Sequence, residues 1–262
     1  MRLAFVGPML ALRMRDGNRH KRKKLGQARA ERGPDLNMNR NGENMQRITL
    51  VRRYLVFLVG LLVTAMGMAF TTKGNLGNSP LGAIPQTLSV LLPALTIGNW
   101  TILLNLLLVL LQVALLGRSA LKPDLVLQIV TAVAFGYLID LSLLCIRFIT
   151  PASYLSQLLL SLAGCLLIGF GVYLEVAADV VMLPGDAFNR ALAQVSGKSF
   201  GAMRMLTDIT MTVISAALSL LFLRRLTGVR EGTVIAALTV GNLVKLFGKL
   251  LNKVKMRLLR ET

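Results

Sequence analysis

Histidine is almost absent: the 262 residues hold one, His20, and it lies in a basic N-terminal stretch. That removes Ser-His-Asp, Cys-His and His-metal chemistry from the rest of the chain. Cysteine is scarce as well. Cys145 and Cys165 stand singly inside apolar runs with no C-x-x-C pairing, so they read as small buried hydrophobes rather than zinc or redox ligands. No G-x-x-x-x-G-K-[ST] stretch occurs, which excludes a P-loop motor. With no paired carboxylates in a catalytic pattern either, neither an enzyme nor a metal or cofactor is expected. Charge is also thin. Asp, Glu, Lys and Arg make up 16% of the chain, against roughly 25% in soluble domains.

What fills the chain instead is apolar. Hydrophobic residues are 54% and the mean hydropathy is +0.63, with long apolar runs recurring. These place the chain among integral membrane proteins. The net charge of +18 belongs to the ends: residues 1–53 hold 14 Lys/Arg against 4 Asp/Glu, and residues 245–262 hold 6 against 1. Beside membrane spans, such ends mark the cytoplasmic side and touch anionic lipid head groups. The lipid bilayer is therefore the expected partner, not nucleic acid, and both termini are expected in the cytoplasm.

Polar breaks divide the body. Long runs are predicted at 51–72, 99–116, 125–148, 155–176, 200–223 and 233–251, with two short segments at 80–91 and 185–196. The long runs can cross about 30 Å of hydrocarbon at 1.5 Å per residue, whereas 12 helical residues reach about 18 Å. The predicted fold is all-α: six transmembrane helices plus two short Pro-led helices, re-entrant or interfacial. An eight-crossing arrangement, with the short segments spanning, is the alternative. Around this body, 1–50 reads as a disordered basic tail and 252–262 as a basic C-terminal tail.

The body repeats. Gly60, Gly67 and Pro80 stand 104 residues before Gly164, Gly171 and Pro184. After one deletion the offset is 103, pairing Thr96-Ile97-Gly98 with Ser199-Phe200-Gly201 and Asn105 with Asp208; after two insertions, Gly136 pairs with Gly241 at 105. Ordered breaks plus the Pro pair predict two halves, 51–150 and 151–251. Six spans make the halves inverted; eight make them parallel. The glycine pairs, two turns apart, predict a close helix contact.

Short interrupted segments at matching places in two repeats point to a transporter binding site. A helix starting inside the membrane leaves its first N–H groups unpaired and partly positive, ready for an anion, and Pro80 and Pro184 suit such a start. The second copy kept the charges. Asp186 and Arg190 are spaced to pair, as are Arg204 and Asp208, with Ala187, Phe188, Ala191, Leu192 and Val195 forming the apolar side of the short helix and Asp186, Asn189, Arg190 and Gln194 the polar side. The candidate substrate-binding residues are Asp186, Arg190, Arg204, Asp208 and Asn105. The bland alternatives are an interfacial helix with a wet face and a buried ion pair that only fixes packing. Glu175 and Asp179 are expected to be exposed at a helix end, and Asp140 and Lys245 to be able to bridge the halves.

The run GNLGNSPLGAIPQTLS (74–89) with TIGNW (96–100) resembles the first half of the YczE/YyaS/YitT family of bacterial membrane proteins, and GTVIAALTVGNLVKLF (232–247) resembles that family's last helix. Arg204 followed by an acid at Asp208 resembles its Arg-x-x-x-Glu pattern. Gly82 departs from the Asp expected after the first Pro, and Asp208 from the commoner Glu. The resemblance implies a multi-pass protein of the bacterial inner membrane and brings no substrate. The expected function is a transporter or permease for a small anionic or zwitterionic solute, the alternative a non-transporting membrane scaffold or regulatory protein. One expectation concerns the start: MQRITLVRRYL at Met45 reads as the natural N-terminus. N-terminal sequencing of the native product should then begin at Met45, and Met1-derived peptides from cells would refute it.

Overall fold

A computed structural model describes residues 36–117, 123–224 and 228–258. The tail expected to be disordered lies outside the described residues as far as position 35. The chain divides into two compact units, 1–50 and 51–262. Of the first, residues 36–50 are helical and open helix α1, Leu36–Gly74, which begins earlier than the expected 51. The second unit holds the rest: α2 (Pro80–Leu91), α3 (Ile97–Leu116), α4 (Pro123–Cys145), α5 (Tyr154–Ala178), α6 (Pro184–Ser196), α7 (Phe200–Leu218) and α8 (Glu231–Leu258). A π-helical turn, Ser219–Leu223, continues α7. No strand occurs among the described residues, and six helices are long and apolar enough to cross a bilayer.

Local sequence sets the ends. Pro80 and Pro184 open the two short helices, where a missing N–H costs nothing. Thr96 and Ser199 cap α3 and α7 by accepting from the Asn99 and Ala202 amides. Ser153 and Ser156 form a reciprocal capping box on α5. Gly197, at φ 67°, ends α6 in the left-handed region that glycine occupies without strain. The last helix runs on to Leu258, into the stretch expected to be a tail. Large apolar side chains such as Leu110, Val126, Leu159 and Leu221 are exposed on the outer faces, as a bilayer solvent requires.

The core forms where α1 crosses α5. A Cβ on Gly67 would lie 2.7 Å from the Ile168 amide nitrogen and 2.8 Å from the Gly164 carbonyl oxygen; one on Gly60 would lie 3.0 Å from the Gly171 carbonyl oxygen. The predicted glycine contact is thus present, and backbone rather than flexible side chain limits the approach. Leu61, Ala65 and Met68 of α1, Phe135 and Ile139 of α4 and Ile168 of α5 pack around this crossing. A second cluster joins Ile84 of α2, Leu108 of α3 and Met211 of α7.

The short helices meet inside the bundle. Leu81 packs against Gly185, and residues 80 and 82–87 of α2, with Pro184, Gly185, Ala187, Asn189 and Ala191 of α6, are buried. Their C-terminal ends are exposed. Helix α2 packs on α3 and α7, and α6 on α3 and α7. A helix whose N-terminal half is sheathed by protein can end at membrane depth without leaving backbone groups to lipid.

The two ends of the bundle differ. The loop after α1 is docked on the start of α8: the Asn78 amide donates to the Gly228 carbonyl at 3.0 Å, and the Gly232 amide to the Leu76 carbonyl at 2.7 Å. Arg230 adds a bond from Nη1 to the Asn75 carbonyl at 3.1 Å. The corresponding loop after α5, residues 179–183, lines a cavity instead.

Substitution at the crossing gives a direct test. Gly67→Val forces backbone apart and is expected to destabilise by about 1–3 kcal/mol, as overpacking does. Gly248→Ala on α8, where an added Cβ meets nothing within 4 Å, is expected to be neutral or to stabilise by up to about 1 kcal/mol. Thermal unfolding of the purified protein in detergent would read both; equal midpoints would refute the packing argument.

Candidate functional site

One cavity lies beside α6 and another beside α7. The first, about 710 Å³, lies between the end of α3, the start of α4, the end of α5, loop 179–183 and α6. Its polar lining is Gln112, Asp124, Gln128, Glu175, Asp179, Asp186, Arg190 and Gln194. The second, about 630 Å³, lies between α7 and α8 against α1, α5 and the start of α2 and is mostly apolar, with Thr64, Ser79, Arg204, Asp208, Thr212 and Thr233 as polar members. The sequence-predicted residues are therefore split: Asp186 and Arg190 face the first cavity, Arg204 and Asp208 the second.

The pairing differs from that expected from spacing. Arg204 Nη1 bonds Asp186 Oδ1 at 2.7 Å, across the α6–α7 contact. The i, i+4 pairs Asp186–Arg190 and Arg204–Asp208 do not form ion pairs within 4 Å. The reason is tertiary. Helix α7 lies against α6, and the half-buried Asp186 carboxylate offers the Arg204 guanidinium a short charge-assisted bond. Arg190 is left exposed at the first cavity with no ion pair among the described residues. Asn105 is not brought to this site: it lines neither cavity, because it stands two turns before Gln112 on the same face of α3, short of the end at which the first cavity opens. Helix α6 is also less regular in its sides than its sequence suggests. Asn189 is buried at 1% exposure, and Val195 is 58% exposed.

Glu175 corrects another expectation. It is buried, at 6% exposure, not solvated at a helix end. Its Oε1 lies 2.6 Å from Thr64 Oγ1 on α1, beside the glycine crossing, where a Cβ on Gly60 would lie 3.0 Å from Glu175 Cγ. Asp179 is exposed, as expected. Asp140 does not bridge to Lys245. It holds the N-terminus of α3 instead, accepting from the Gly98 amide at 2.8 Å and the Thr96 hydroxyl at 2.6 Å, a favourable place for an anion. Lys245 is exposed.

The first cavity has features that sequence spacing did not reveal. Gln112 and Gln128 are both more than nine-tenths buried, and the Oε1 of each lacks a hydrogen-bond partner within the protein. Buried acceptors of this kind call for a donor from water or a ligand. Their signal in the sequence was faint: single glutamines in apolar runs, each within a turn or two of a helix end. Among the described residues, no group of His, Cys, Asp and Glu is arranged to hold a metal ion.

The wall between the cavities contains two polar pairs. Asp186 faces one side and Arg204 the other; Glu175 faces one side and Thr64 the other. Asp186→Asn and Arg204→Gln should each lower the thermal midpoint, and the double substitution should fall short of their sum. A coupling of about 1 kcal/mol is expected for a partly exposed pair. Strict additivity in the cycle would show that the bond is not formed.

Comparison with known proteins supports the membrane assignment. Residues 51–249 match the model of a family of unknown function, DUF6198. The chain is 28% identical over 164 residues to the uncharacterized protein YyaS of Bacillus subtilis (strain 168), covering 62% of this chain and 79% of that protein. It is 29% identical over 171 residues to the uncharacterized membrane protein YczE of the same organism, covering 64% and 74%. No solved structure matches.

Proposed function

The chain belongs to the DUF6198 family of multi-pass membrane proteins, and from that premise we propose that it is a permease for a small zwitterionic solute. The observation that carries the proposal is the polar cavity beside α6, enclosed by helices that otherwise meet lipid. Polar and ionisable groups within spans are costly and mark solute pathways. The donor set selects the solute. Glu175, Asp179, Asp186 and the two unpartnered glutamine carbonyls accept hydrogen bonds, which suits an ammonium or amide group. Arg190 offers a cation to a carboxylate or similar anion. Arg204, one of the candidate residues from the sequence, is occupied by Asp186 and acts in this scheme as part of the wall between the cavities.

The path runs from the α6 cavity across that wall to the α7–α8 cavity. A duplication of inverted halves supports such a path. The glycine contacts exchange under the 104-residue offset: Gly60 on Gly171 becomes Gly164 on Gly67. The halves are not in the same state, however. Gly98 and Gly136 press α3 against α4, whereas Gly201 and Gly241, their counterparts, have nothing within 4 Å of an added Cβ and line the open α7–α8 cavity. The docked loop after α1 and the open cavity at the loop after α5 repeat the same asymmetry. In this scheme the solute enters at the α5–α6 end, and transport exchanges the two states. With both termini in the cytoplasm of a bacterial inner-membrane protein, that end faces inward.

Cysteine accessibility tests the path. In a background with Cys145 and Cys165 replaced by Ser, Gln194→Cys and Asp179→Cys in the first cavity and Met205→Cys in the second should react with a membrane-impermeant maleimide in proteoliposomes. Leu110→Cys, on the outer face of α3, should not. Silence at both cavity positions of the α6 side would end the permease reading.

A further inference from the structure

The Thr64–Glu175 contact has a hydrogen-counting consequence. Thr64 Oγ1 lies 2.6 Å from Glu175 Oε1 and 3.0 Å from the Gly60 carbonyl oxygen. A threonine hydroxyl carries one hydrogen, and a carbonyl carries none to give. With Thr64 as the donor to both, its one hydrogen is divided in a three-centre bond; two full hydrogen bonds form when the proton of the shorter one sits on Glu175. The chain of donation is then Glu175 carboxyl to Thr64 hydroxyl to Gly60 carbonyl. The surroundings agree. The charged groups that line the α6 cavity with Glu175 are Asp124 of α4, Asp179 of its own helix end and Asp186 and Arg190 of α6; Arg204 and Asp208 of α7 line the cavity on the Thr64 side. Arg52 and Arg53 lie two turns before Gly60 on α1, and Lys245 and Lys249 on α8 are exposed. No cation among these lies within 4 Å of the carboxylate. A carboxylate buried this fully without an ionic partner is strongly disfavoured against its neutral form.

We propose that Glu175 is a proton-binding site, and that Glu175 and Thr64 together relay a proton between the two cavities. Glu175 lines the α6 cavity and Thr64 the α7–α8 cavity, so their bond joins the two sides. The step balances within the pair and its waters. The Thr64 hydroxyl hydrogen turns from the Gly60 carbonyl to a water in the α7–α8 cavity and leaves to it as Glu175 passes its own proton to Thr64 Oγ1. A proton from water in the α6 cavity then restores the carboxyl. The proton is thereby the coupling ion of the permease proposed above, an inference that rests on that reading, although the binding site itself can be tested without any solute. The glycine crossing keeps the pair in register, since the close approach of α1 and α5 is what brings Thr64 to Glu175.

Infrared spectroscopy of the protein in phosphatidylethanolamine–phosphatidylglycerol proteoliposomes reads the proton directly. The wild type should show the carbonyl stretch of a protonated carboxylic acid at neutral pH, fading on alkaline titration. Glu175→Gln should remove that component, and Thr64→Val, which takes away its hydrogen-bond partner, should move its frequency while leaving it present. An identical spectrum in Glu175→Gln would overturn the binding site; an unmoved band in Thr64→Val would overturn the relay. Maleimide labelling of the same two variants, in the cysteine background above, separates this result from the fate of the path: a titrating band with unlabelled cavities leaves the proton site standing and removes the permease.

Discussion

Everything at the centre of this protein depends on how closely α1 and α5 approach. Glycines at 60, 67, 164 and 171 remove the side chains from the contact, so that an added Cβ would meet backbone atoms of the opposite helix at 2.6–3.0 Å. In a bilayer, lipid tails are as apolar as leucine, and close van der Waals packing takes over much of the work of holding helices together. The approach also fixes chemistry. It brings a threonine from one helix to a glutamate from the other at 2.6 Å, and it gives Phe135 and Ile139 of α4 a firm surface to pack on.

On that crossing stands a partition made of polar pairs. Asp186 and Arg204 join α6 to α7; Glu175 and Thr64 join α5 to α1. Each pair has one member facing the polar cavity and one facing the cavity between α7 and α8. Because the protein groups there bond to one another rather than to backbone alone, changing one pair alters both cavities. The asymmetry of the ends belongs to the same picture. One end is held by main-chain bonds between the loop after α1 and the start of α8, and the other leaves acceptors without protein partners.

Most of the architecture was legible from local signals. Glycine, proline and short polar clusters stop helices wherever they occur, so the segments at 80–91 and 185–196 and the six long runs were found within a few residues. The departures came where apolar periodicity gives no boundary: α1 extends back to Leu36 and α8 on to Leu258. The site was read only in part. Asp186, Arg190, Arg204 and Asp208 do lie at the cavities, but the i, i+4 rule assumes that a helix pairs with itself, and a packed neighbour offers a better partner. Asn105 was drawn in by its place in the predicted repeat, and it stands two turns short of Gln112, the residue on the same face of α3 that reaches the first cavity. Glu175 was missed because a carboxylate four residues before another acid at a helix end looks solvated, and its burial depends on a helix more than a hundred residues earlier in the chain.

Composition and the spacing of breaks thus determined an all-α membrane chain with two short Pro-led helices. They also located the charged stretch from Asp186 to Asp208, because hydropathy and turn chemistry act over a few residues and need no partner. Which charges pair, which acids are buried and where the cavities open were decided only by tertiary structure. Those properties arise between helices: a glycine face sets the distance between two of them, and that distance determines which side chain on one helix meets which on the other.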